Sequence, residues 1–69
     1  MPVSMGRIGE TYQVKRVTGS GELRSHLEAM GFTAGTDIRV VAQMNGDVIL
    51  AVKESRVAVG EDQARHIMV

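Results

Sequence analysis

The chain has 69 residues, with eight Lys/Arg set against eight Asp/Glu, two histidines and no cysteine. That length makes one domain able to bury only about 60% of its unfolded surface, and the missing cysteines exclude disulfides, thiolate zinc sites and cysteine-held iron–sulfur clusters. Charges of both signs are interspersed along the chain, so the basic footprint of a nucleic-acid binder is missing, as is an acidic tail.

The longest apolar run, Val48 to Val52, falls far short of a membrane span, and no direct membrane insertion is expected. The opening MPVSMGRIGE has no charged region followed by an apolar one, as a signal peptide would. A cysteine-free chain of this kind suits a reducing cytoplasm. Residues 1–69 are read as one domain, with 1–5 as a loose N-terminal tail.

Eight glycines separate short segments rich in Val and Ile, the pattern of a small β-barrel or sandwich. Glu10–Val17 reads as a first strand with Tyr12 and Val14 in phase. Val17 falls out of phase, which predicts a bulge near Lys15–Arg16. Gly19–Gly21 breaks that strand. Glu22–Met30 then reads as a helix, because Leu23, Leu27 and Met30 follow the spacing of a buried stripe while Arg24, Ser25 and Glu28 fall opposite. Ser20 is placed to cap its N-terminus, and Glu22 in the first turn favours the helix dipole. Gly31 sits where a left-handed residue ends a helix, with Phe32 free to fold back onto the last turn.

Asp37–Met44 and Asp47–Lys53 form a hairpin around Asn45-Gly46. A three-residue loop, Met44-Asn45-Gly46 with Gly46 left-handed, would set Ile38 against Val52, Val40 against Leu50 and Ala42 against Val48, giving one continuous apolar face. Arg39, Gln43, Asp47 and Lys53 would then face solvent. Val41, Ile49 and Ala51 would cluster on the outer face as an apolar patch with no intramolecular use. A tight turn at Glu54-Ser55 leads to a strand through Val57 and Val59. Ala64 and Ile67 mark one helical turn, and Ile67 and Val69 a last short strand with Met68 facing outward. The fold class expected is mostly β.

The candidate sites are each outweighed by a plainer role. His26 lies at the border of the helix stripe between Glu22 and Met30, and methionine beside a carboxylate is a mismatched ligand set. His66 follows Asp62 at helical spacing, where an exposed contact is the ordinary outcome. The G-x-G before the helix lacks the Lys-Ser/Thr of a phosphate loop. Glu61 and Asp62 are adjacent and diverge, and two aromatics are too few for a base-stacking platform. The methionines do not converge. Catalytic, metal and cofactor-binding residues are all assigned as none, and the chain is read as a non-enzyme.

The sequence resembles the ferrous iron transport protein A (FeoA) family. The residues that carry the resemblance are Gly9-Glu10, Leu23, Leu27, Met30-Gly31-Phe32, Gly35 and Ile38 to Val41, then Gly46-Asp47, Leu50, Val52, Ser55 to Gly60, Ala64, Ile67 and Val69. Many members carry Gly-Asp-Pro at the hairpin, where this chain has Gly46-Asp47-Val48. The resemblance implies an SH3-like small β-barrel with one helix inserted after the first strand and a helical turn before the last. It also implies a small cytoplasmic accessory protein of ferrous iron uptake, without cofactor, whose partner is the membrane permease that carries a GTPase-like domain. Contact with that permease is expected at Arg24, Glu28, Val41, Ile49 and Ala51, and weak self-association is a second use of the patch. The competing reading is a metal-responsive regulatory domain like that at the C-terminal end of metal-dependent transcriptional regulators. Transition-metal binding of that kind requires His26, His66 and nearby acids to converge.

Overall fold

In the computed structural model, which describes all of residues 1–69, the expected first strand is two strands. Strand β1 (Thr11–Gln13) and strand β2 (Arg16–Val17) belong to different sheets. Between them Val14 is buried, and its N–H donates to the Thr36 carbonyl at 2.8 Å, whereas the next N–H, of Lys15, donates to Met68 at 2.7 Å. The phase change at Lys15–Arg16 is therefore a corner where the chain passes from one sheet to the other, a sharper event than a bulge.

Helix α1 (Gly21–Ala29) follows the local chemistry of its ends. Ser20 is the N-cap, its hydroxyl accepting from the Leu23 N–H. At the other end Gly31 has φ +105°, its N–H donates to the Glu28 carbonyl, and the Phe32 N–H donates to the Leu27 carbonyl. Those two bonds complete the Schellman arrangement and bury Phe32 completely. Of the expected stripe, Leu27 is fully buried while Leu23 and Met30 pack at the edge of the core.

Strands β3 (Asp37–Met44), β4 (Asp47–Val52) and β5 (Ser55–Gly60) follow as a meander, and the sheet order is β1-β3-β4-β5. The β3–β4 register confirms Ile38 against Val52 and Val40 against Leu50, then shifts by one residue at Val41. Beyond the shift Ala42 faces Ile49, Gln43 faces Val48 and Met44 faces Asp47. The turn is therefore the two-residue Asn45-Gly46, both at positive φ (51° and 84°), and the extra residue is absorbed by a bulge at Val41. A three-residue loop is not needed, because the bulge supplies the same offset further down the ladder. The next turn is also one residue earlier than expected: Val52 pairs with Ser55 around Lys53-Glu54, with Lys53 at φ +55°.

Helix α2 (Glu61–Ala64) is a single turn, after which strand β6 (Ile67–Met68) pairs with β2. The two sheets enclose one core of thirteen buried hydrophobic residues. This is an SH3-like arrangement, although no ladder joins the sheets into a fully closed barrel. Residues 1–5 are not a loose tail. Val3–Met5 form a 3-10 turn, Val3 is completely buried, Pro2 bridges to Met68, and Met1 and Val69 exchange N–H···O bonds of 2.7 Å each. A β-branched side chain in the core supplies the reason.

Candidate functional site

The surface with a distinct chemical pattern is the outer side of the four-stranded sheet. Along β4, Val48, Leu50 and Val52 are buried, so Asp47, Ile49 and Ala51 point the other way. The register then lines up two rows. In one, Ile49 stands between Ala42 and Ala58; in the other, Ala51 stands between Arg39 and Arg56. Directly opposed residues on one face have Cβ atoms about 5 Å apart, so each row is a contiguous strip. Asp47, opposite Gly60, closes the end of the face nearest the Asn45-Gly46 turn.

Ile49 and Ala51 thus lie where the sequence placed them, half-buried on the outer face. Val41 follows buried Val40 and so also turns outward, but the bulge leaves it without a cross-strand partner, and Ala42 is the residue set opposite Ile49. Ala42 and Ala58 complete the Ile49 row. Ala58 follows from the alternation of Val57 and Val59, whereas Ala42 could be read only from the bulge, which no local pattern marks. Arg24 and Glu28 are exposed on α1, which packs against β2, so they belong to a second surface.

Two shallow hollows border these surfaces. One, about 260 Å³, is lined by Ser20, Glu22, Leu23, His26 and Gln63. The other, about 220 Å³, lies under the hairpin tip and includes Ser4, Gln43, Asp47 and Glu61. His26 is exposed in the first, with Glu22 as its neighbouring acid. His66 sits elsewhere and is half-buried. Its Nδ1 lies 3.1 Å from the Thr18 hydroxyl, so its ring partner is Thr18 on the β2 side, in place of the expected Asp62 contact. No three His, Asp or Glu side chains converge to hold an ion. No buried side-chain polar atom lacks a hydrogen-bond partner. No helix is long and apolar enough to cross a membrane.

Fold and surface together define a small SH3-like β domain whose outer sheet face carries an apolar row between charged ends. The chain belongs to the FeoA domain family, whose model matches residues 1–69. It is 32% identical over 68 residues to a Methanocaldococcus jannaschii protein named as an Fe(2+) transport protein A, covering 99% of this chain and 83% of that one. A crystal structure of an iron uptake regulatory protein, FeoA, is similar with a TM-score of 0.89 at 29% identity, covering 97% of this chain and 91% of that chain. A manganese-dependent transcriptional repressor shares the fold at TM-score 0.88 and 21% identity, over 97% of this chain and 39% of the repressor.

Proposed function

We propose that this chain is a non-enzymatic accessory module of ferrous iron uptake, which acts in the cytoplasm by docking on the cytoplasmic part of the Fe(II) permease. Family membership supplies the iron-transport context. The observation that carries the docking itself is the outer sheet face, where Ile49, Ala42 and Ala58 form an apolar strip outside the hydrophobic core. Strips of that kind on a small domain are the usual footprint of a protein contact. Arg24 and Glu28 on α1 offer a second, charged contact. Titrating the isotope-labelled chain with the permease's cytosolic domain tests this by NMR. Shifts are expected at Ile49, Ala51 and Ala58, and Ile49→Glu should weaken binding at least tenfold. Shifts confined to other surfaces would reject it.

A metal-responsive regulatory role is the second reading, favoured by the fold shared with the manganese-dependent repressor. Calorimetric titration with Mn²⁺ or Fe²⁺ separates the two. Submillimolar binding abolished by His26→Ala would favour regulation, and its absence would leave docking as the function.

A further inference from the structure

Strand β5 ends the four-stranded sheet with an open side. Val52 and Ser55 flank a two-residue turn, so they form a hydrogen-bonded pair, and the alternation carries this to Leu50–Val57 and Val48–Val59. Arg56, Ala58 and Gly60 therefore direct their N–H and C=O groups away from β4. Outside the ladders, no backbone or side-chain group accepts from those three N–H groups. The edge is six residues long, and it contains neither proline nor a bulge, two of the devices that blunt such edges.

The face beside this edge is charged in opposite senses at its two ends. Arg56 and Arg39 flank Ala51 at one end. At the other, the Asp62 Oδ1 lies 2.7 Å from where a Gly60 Cβ would stand, and the Asp47 Oδ1 lies 4.0 Å from it. A strand with a basic end, a small apolar centre and an acidic end is complementary to itself when run antiparallel.

We propose that a second copy of this chain adds to β5 antiparallel, about a two-fold axis at Ala58. Ala58 then exchanges hydrogen bonds with Ala58 of the second copy, and Arg56 pairs with its Gly60, for roughly six backbone bonds in all. Because Gly60 has no side chain, the Arg56 guanidinium has room to reach the Asp62 and Asp47 carboxylates of the second copy. A register centred on Val57 would set Arg56 against Ala58 and leave those acids unpaired, so charge selects the Ala58 register. At Gly60 the chain leaves the edge, since the Glu61 N–H donates to the Gly46 carbonyl at 2.8 Å and turns α2 inward. Pairing edge to edge also leaves the outer faces open, and runs their apolar rows together as Ala42, Ile49, Ala58 and the same residues in reverse. This association is separate from permease docking, and neither depends on the other.

Sedimentation equilibrium over roughly 0.01–1 mM chain tests it, since a small edge-to-edge interface makes a weak, transient dimer. A concentration-dependent dimer is expected, with amide exchange at Arg56, Ala58 and Gly60 slowing as it forms. Ala58→Pro removes an outward N–H at an edge position where proline is tolerated, so it should abolish the dimer and leave the circular dichroism spectrum unchanged. Arg56→Glu should weaken the dimer at least tenfold, and Arg56→Glu combined with Asp62→Arg should recover most of the loss. If Ala58→Pro fails to fold, this charge swap decides. A chain that stays monomeric to about 1 mM, or a dimer indifferent to Arg56→Glu, overturns the proposal.

Discussion

Gly31 shows how much of this fold is decided by one backbone angle. At φ +105° it lies in the left-handed region, and the two bonds that close the helix, from Gly31 to Glu28 and from Phe32 to Leu27, depend on it. A Cβ at this position would meet Val52 Cγ2 at 3.4 Å, a distance the neighbour can accommodate by a slight shift. The cost of Gly31→Ala is thus mainly conformational, and urea denaturation should show a loss of about 1–2 kcal/mol with little change of slope. Such positions are legible because a glycine after an apolar helical stripe has few other uses. The side-chain partner of His66 was not legible, because Thr18 is distant in sequence and only the β2–β6 pairing brings the two together.

At the level of elements, what could be read from sequence divides by the range of the forces involved. Helix α1 is set by neighbours within four residues, through the Ser20 cap and the Leu23–Leu27 stripe, and its bounds lie within one residue of those predicted. The split of the first strand depends on partners far along the chain, Thr36 for Val14 and Met68 for Lys15, so its local phase showed only that something interrupts it. The β3–β4 hairpin combines both. The pairs near its base follow from hydrophobic matching, whereas an extra residue can be absorbed at the turn or in the ladder with the same effect on them. This ambiguity put Ala42 opposite Ile49 and left Val41 unpaired, while Ile49 and Ala51 kept their places. The turn itself requires positive φ at Asn45 and Gly46. Gly46→Val should therefore destabilise by about 1–2 kcal/mol, whereas Asn45→Gly should be close to neutral, as paired thermal melts would show.

At the scale of the whole molecule, a core of thirteen residues in a 69-residue chain leaves little margin. Domains of this size hold roughly 3–10 kcal/mol, so each buried side chain is a large share of the total. Val3 is the telling case, since it is completely buried and lies in a segment that composition alone assigns to a tail. The 3-10 turn it begins packs beside α2 and β6, and the adjoining residues bridge to Met68 and Val69. The two ends of the chain thus hold one another, and β6 in turn holds β2, which carries the corner into α1. Loosening Val3 should therefore be felt across the two-stranded sheet before it reaches β3–β4, whose longer ladder is independently paired. Val3→Ala is expected to cost about 2 kcal/mol in global stability. Native-state amide exchange should show more: faster exchange at Lys15 and Val69, both bonded across that closure, with the β3–β4 amides still exchanging only through global unfolding. Uniform acceleration of all these amides would mean instead that the closure and the main sheet open as a single unit.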